Sequence, residues 1–181
     1  QDSLTPGTPL AASNTPVQLT SLNQTFRMRL GLRFDAPQTL YKSISGGEDW
    51  MCGIAANDQA YCWGDGYRGE LGNGSTTDSW MPVAVDTSGV LAGKTIKTLS
   101  TGSYHACAIA SDDQAYCWGD GGYGKLGNGS AASSSVPVAV NTVGVLAGKT
   151  IAQISAHDYY NTCAIASDHN AYCWGYNASG N

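Results

Sequence analysis

The most regular alternation of apolar and polar residues lies between residues 26 and 34, which read Phe-Arg-Met-Arg-Leu-Gly-Leu-Arg-Phe. In an extended strand, successive side chains point to opposite faces, so the apolar residues of this segment share one face. They are Phe26, Met28, Leu30, Leu32 and Phe34. Arginines occupy the opposite face. Strict alternation over this length predicts a half-buried β-strand.

From about residue 40 onward the apolar pattern repeats itself. A stretch with two cysteines that ends in Tyr-Cys-Trp-Gly occurs three times, at residues 51–64, 106–119 and 162–175, with steps of 55 and 56 residues. The sequences Leu-Gly-Asn-Gly-Ser and Pro-Val-Ala-Val recur between these stretches. A long internal period is typical of propellers and solenoids.

The repeats also predict how the chain divides. Residues 1–39 form a proline-rich arm followed by the alternating strand, since four of the six prolines lie there. Residues 40–181 form the repeat region. Its units are predicted at about 40–94, 95–149 and, as a partial unit, 150–181.

Each complete unit reads as four short strands separated by turn residues. In the second unit the strands are predicted at Thr95–Ser100, His105–Ala110, Gln114–Trp118 and Pro137–Val140. Four short strands per repeat are typical of a propeller blade rather than of a βαβ unit. The predicted fold class is therefore all-β, with about two and a half propeller-type blades of four antiparallel strands.

The cysteines suggest a register for the central hairpin of each unit. If Cys107 faces Cys117, small residues on one strand oppose large residues on the other, and the loop has three residues. The last residue of such a loop adopts a positive φ angle. That place is held by Asp58, Asp113 and His169, which are all residue types that tolerate this conformation.

The motif that begins at Gly102 and runs through His105, Cys107 and Trp118 to Gly129 resembles the regulator of chromosome condensation repeat family. The resemblance implies a seven-bladed propeller. In that family, eukaryotic members act as nuclear guanine-nucleotide exchange factors, and secreted bacterial members bind and inhibit β-lactamases. The histidine is replaced by tryptophan in the first unit and by asparagine in the third. A fragment, a ring closed by an oligomer and an open stack of blades are all compatible with the repeat number.

The six cysteines form three Cys-x9-Cys pairs. Six cysteines allow 15 connectivities, but the repeat favours one pairing used three times: Cys52–Cys62, Cys107–Cys117 and Cys163–Cys173. Cross-strand neighbours lie close enough for a disulfide, whereas zinc sites use shorter spacings. Buried free thiols and a metal site are the alternatives. Disulfides would place the protein in an oxidising compartment, secreted or at the cell surface.

Residues 119–125 match a glycine-rich phosphate-binding pattern that we interpret as turns. A phosphate loop needs a helix N-terminus after its glycines, and Leu126 stands where such a loop has Ser or Thr. The first unit carries Glu70 in place of Lys125. No catalytic residue, cofactor or metal is predicted.

The recurring tryptophans are interpreted as core, whereas Trp50 and Trp80 do not recur and could be exposed.

The charge pattern favours a protein partner. Residues 43–181 carry five basic and twelve acidic residues, which argues against a nucleic-acid partner. No apolar run is long enough to predict a transmembrane helix.

We therefore expect a non-enzymatic extracellular scaffold for protein binding or self-assembly, as a surface adhesin or filament subunit. In the self-assembly hypothesis, strand 26–34 pairs with the incomplete last blade of its own or another copy. The alternative is a propeller that acts as an inhibitor or exchange factor.

Overall fold

The computed structural model describes residues 40–157 and 160–178. The chain divides into two units, Gln1–Pro37 and Gln38–Asn181. The predicted strand 26–34 and its five apolar residues lie outside the described residues.

The described part of the chain is all-β, as predicted, and its strands form three antiparallel sheets. They are β1 Tyr41–Gly46, β2 Trp50–Ala55, β3 Ala60–Gly64, β4 Ser79–Ala84, β5 Ile96–Thr101, β6 His105–Ala110, β7 Ala115–Gly119, β8 Ser134–Ala139, β9 Ile151–His157, β10 Asn161–Ala166 and β11 Ala171–Gly175. The first two sheets have the orders β1-β2-β3-β4 and β5-β6-β7-β8, and the third has the order β9-β10-β11. Two short 3-10 turns, Gly122–Gly124 and Gly144–Leu146, connect strands. No described helix is long and apolar enough to cross a membrane.

The central hairpin of each sheet has the register predicted from the cysteines. Cys107 lies opposite Cys117 and Ala108 lies opposite Tyr116. The loop residues Asp58, Asp113 and His169 have φ angles of 63°, 59° and 63°. This left-handed residue closes a three-residue loop whose twist matches that of the flanking strands.

Neighbouring sheets pack face to face, and the cores lie between them. Strands β1 and β2 contact β5, and β5 and β6 contact β9. We call the contact of the first and second sheets the first joint, and that of the second and third sheets the second joint. Leu71 and Leu91 are buried in the first joint, and Leu126, Leu146 and Ile151 are buried in the second. Both faces of the second sheet are therefore covered, which explains why β6 and β7 are buried at every residue.

The tryptophans only partly follow the sequence prediction. Trp80 is exposed, at 91% of its surface, but Trp50 is 3% exposed, so its predicted exposure is wrong. Trp50 stands at the repeat position of His105, and its indole N–H donates to the Ser103 carbonyl across the first joint at 2.7 Å. Among the recurring tryptophans, Trp118 is fully buried, whereas Trp63 and Trp174 are half-buried because they lie on the outer two of the described sheets.

Candidate interaction surface

Each described hairpin carries one disulfide between its two strands. The bonds join Cys52 to Cys62, Cys107 to Cys117 and Cys163 to Cys173, with Cα atoms 4.0–4.1 Å apart. This is the pairing that the repeat favours, and it leaves no free cysteine in the described ranges. The first two bonds are buried, whereas Cys163 is half-buried and Cys173 is exposed. Disulfides of this kind are typical of proteins from oxidising compartments.

The glycine-rich loop of the second unit holds a buried ion pair rather than a phosphate cradle. The Lys125 side chain is buried, and its Nζ lies 2.7 Å from Oδ2 of Asp120. Burial disfavours the charged form of Asp120, but hydrogen bonds from Lys125, from the Gly122 N–H and from Arg68 outweigh it and lower the pKa of Asp120 to about 2. The Lys125 ammonium is thus committed to a carboxylate within its own loop.

At each joint, the glycine-rich loop of one unit accepts a hydrogen bond from a tryptophan of the next sheet. The Trp118 indole N–H donates to the Glu70 carbonyl at 2.8 Å, and that of Trp174 donates to the Lys125 carbonyl at 3.0 Å. Gly72 and Gly127, two residues after these carbonyls, lie against the indole rings of Trp118 and Trp174. At Gly127 a Cβ would lie 2.6 Å from Nε1 of Trp174. The Leu-Gly-Asn-Gly-Ser repeat is therefore a docking seat for the following sheet.

His105 is a buried structural residue of the second joint. Its Nε2 lies 2.8 Å from the Thr162 hydroxyl oxygen, and that hydroxyl donates to the Lys125 carbonyl. The hydroxyl proton is thus used, so Nε2 carries the ring proton. Burial, helped by the positive charge of Lys125, lowers the pKa of His105 to about 3. A histidine that stays neutral and cannot reach solvent is not available as a general base.

Arg68 links the first joint at the surface. Its guanidinium carbon lies 4.2 Å from the Tyr104 ring centroid and 5.1 Å from that of Tyr67. Its Nη1 lies 2.9 Å from Oδ2 of Asp120. A cation of the first unit is therefore held by an aromatic ring and a carboxylate of the second.

Three tyrosines occupy the corresponding place at the second joint. The ring centroids of Tyr123, Tyr160 and Tyr176 are 4.9–5.4 Å apart, and we call these residues the tyrosine cluster. Their exposed fractions are 60%, 47% and 37%. Sequence reasoning missed the cluster because its members come from separate loops of two units. The available signal was that Tyr176 replaces the aspartate found at 65 and 120.

A second exposed apolar surface lies on the outer strand of the first sheet. Trp80 and Met81 of β4 are exposed. The second unit carries Ser135 and Val136 at the repeat positions of Trp80 and Met81. Large exposed apolar side chains that depart from the repeat indicate a contact surface rather than a requirement of folding.

The sequence matches the family model described as the Regulator of chromosome condensation (RCC1) repeat over residues 57–109 and 112–164. A second model with the same description matches residues 96–125. Together these matches span all of the second unit and parts of the units on both sides.

Known proteins resemble the repeat region. The human E3 ubiquitin-protein ligase HERC2 is 32% identical over 123 residues, which are 67% of this chain and 2% of that protein. The crystal structure of human WBSCR16 superposes with a TM-score of 0.67 at 20% identity and covers 75% of this chain and 33% of that one. Yeast RCC1 (Prp20), solved with Kap60 bound to it, superposes with a TM-score of 0.62 at 18% identity, over 76% of this chain and 32% of that one. The chain thus spans about a third or less of these relatives.

Proposed function

Because the chain belongs to the Regulator of chromosome condensation (RCC1) repeat family, we propose that it is an extracellular scaffold that binds other proteins and catalyses no reaction. The observation that carries the proposal is a difference between two groups of side chains: polar ones that bond within the repeat region, and aromatic or apolar ones that are exposed. The side chains of His105 and Asp120 bond to residues of a neighbouring unit, and Lys125 pairs with Asp120 inside its own loop. The large exposed side chains that depart from the repeat, by contrast, are aromatic or apolar.

The composition of the exposed surface supports protein binding. Tyrosine, tryptophan, methionine and arginine are enriched in the cores of protein interfaces. Tyr123 of the tyrosine cluster and Trp80 with Met81 on β4 supply such residues at two separate places. The relative Prp20, which is solved with Kap60 bound to it, is an example of the same fold engaging a protein.

Site-specific photo-cross-linking tests the proposal. A photoreactive amino acid is placed at Trp80, at Tyr123 or at the exposed control position Ala131. The full chain is then produced in its own source cells and irradiated there. We expect discrete cross-linked protein species from positions 80 or 123 and none from position 131. Cross-links of equal yield at all three positions, or at none, would contradict the proposal.

Self-association is the second form of the proposal, and the alternating pattern of residues 26–34 favours it. An extended segment with one apolar face is suited to pairing with a sheet edge of another copy. Sedimentation of the full chain tests this form: Leu30→Arg places a charge on the apolar face and should reduce association, whereas Arg29→Lys should not. A chain that is strictly monomeric at high concentration would rule this form out.

A further inference from the structure

The tyrosine cluster is an exposed aromatic surface at the second joint. We propose that Tyr123, Tyr160 and Tyr176 bind an arginine side chain presented by a protein partner. The proposal rests on the protein-binding function argued above and assigns a chemical class to one of its surfaces.

At the first joint, the position that corresponds to the tyrosine cluster holds an arginine side chain. There Arg68 packs on Tyr104 and pairs with Asp120. Tyr160 stands at the repeat position of Tyr104, so the second joint keeps the aromatic wall. Both members of the ion pair are replaced, because Tyr123 stands in place of Arg68 and Tyr176 in place of Asp120. The second joint therefore has additional π surface where the first has a cation from its own chain.

The rings of the cluster are ordered against each other yet remain accessible. Tyr123 meets Tyr160 and Tyr176 edge to face, with interplanar angles of 84° and 70°. Rings that are held in place lose little conformational freedom when a ligand binds. The electron-rich face of a tyrosine attracts a guanidinium, and the attraction strengthens when water is excluded.

Tyr123 has a strained backbone conformation. Its φ angle is 61°, and this left-handed conformation is unfavourable for a bulky residue. The side chain nevertheless points outward, with 60% of its surface exposed. Strain that is kept at an exposed aromatic residue is characteristic of a recognition site.

The charge balance of the repeat region selects a cationic partner. Residues 40–181 contain twelve acidic and six basic residues. All six basic side chains are ion-paired with carboxylates of the region: Lys42, Arg68, Lys94, Lys97, Lys125 and Lys149. The excess negative charge of this region therefore favours the approach of a basic surface.

Titration with a capped pentapeptide of sequence Gly-Arg-Gly-Arg-Gly, followed by NMR, tests the inference on the full chain. We expect the peptide to shift the resonances of the cluster tyrosines, and the matching Gly-Glu-Gly-Glu-Gly peptide to leave them unchanged. The double variant Tyr123→Arg/Tyr176→Asp introduces the ion pair of the first joint and should weaken arginine-peptide binding at least about tenfold. Because the chain already contains that arrangement, the variant should fold.

Two further variants make the result decisive. Tyr123→Gly removes one ring and relieves the left-handed strain, so it should fold at least as well as the parent and still lose binding. Trp80→Ala removes an exposed aromatic outside the cluster and should leave binding unchanged. The inference fails if the double variant binds like the parent, if Trp80→Ala loses binding equally, or if the two peptides behave alike. A negative peptide result together with cross-links at position 80 would overturn the arginine site and leave the scaffold function standing.

Discussion

At one repeat position, two different residues bond to the following sheet in different ways. Trp50 donates its indole N–H to a backbone carbonyl of the second sheet, and His105 bonds to Thr162 of the third. Asn161 holds the same position in the third unit. What the position requires is thus a polar atom at the joint, and a protonated imidazole is not needed.

Replacing His105 with asparagine should make the protein more resistant to mild acid. The pKa of His105 is lowered to about 3 by burial, whereas the unfolded chain takes up the proton near the ordinary pKa of about 6.5. Stability from the neutral ring is thus fully present above pH ~6.5 and falls by up to about 1.4 kcal/mol per pH unit as the pH drops toward the folded pKa.

Urea unfolding between roughly pH 7 and pH 4 checks this expectation, because that range covers most of the interval between the ordinary histidine pKa and the lowered pKa of His105. His105→Asn should flatten the pH dependence of the unfolding free energy. His169→Asn is the matched control, since His169 is exposed and asparagine tolerates its positive φ angle. Parallel pH curves for the parent and His105→Asn would show that His105 is not the group that titrates.

The three disulfides should be reduced in order of exposure. Thiol–disulfide exchange requires access of the attacking thiolate, and Cys173 is exposed whereas the cysteines of the first two hairpins are buried. Timed reduction, alkylation and peptide mapping should therefore show Cys163–Cys173 opening first. Simultaneous loss of all three bonds, or links between different hairpins, would contradict the structure.

At the scale of elements, the hairpins were predictable from the sequence and the joints were not. A hairpin is local, so the cysteine spacing and the Asp or His in its loop were sufficient to give its register and its left-handed residue. The buried indole of Trp50 bonds to the carbonyl of Ser103, which lies 53 residues away. The tyrosine cluster likewise brings together loops of two units. Pairing of such distant positions leaves no periodic signal.

The glycine of the docking seat should be far more sensitive to substitution than an equally left-handed glycine elsewhere. Gly127 has φ 68°, and a Cβ there would lie 2.6 Å from Trp174 Nε1. Gly148 has φ 71° with nothing within 4 Å of a Cβ. Gly148→Ala should therefore cost only the backbone strain, about 1 kcal/mol, whereas Gly127→Ala should cost about 2–4 kcal/mol because overpacking is added.

Denaturant unfolding of the two alanine variants gives the comparison directly. Gly127→Ala should also weaken the seating of Trp174, which near-ultraviolet circular dichroism reports. Equal costs for the two substitutions would show that the indole moves aside freely, and the seat would then have no role in joining the sheets.

At the scale of the whole repeat region, stability should depend on how many neighbours each sheet has. In stacked repeats each unit contacts only the adjacent ones, so stability is approximately a sum of unit and interface contributions. The second sheet contributes to both joints, and β6 and β7 are buried at every residue. Among the described sheets, the third contributes to one joint, and β11 has no buried residue.

Hydrogen exchange followed by mass spectrometry should resolve this gradient along the chain. Local opening releases the least covered elements first, so peptides from β10 and β11 should exchange fastest, those from β2 and β3 next, and those from β6 and β7 last. All three hairpins carry a disulfide at the same position, so differences in cross-linking cannot produce the order. Gly127→Ala, which weakens only the second joint, should accelerate exchange in β10 and β11 while leaving β2 and β3 unchanged. Uniform acceleration in all three sheets would instead mean that the repeats open as one cooperative body.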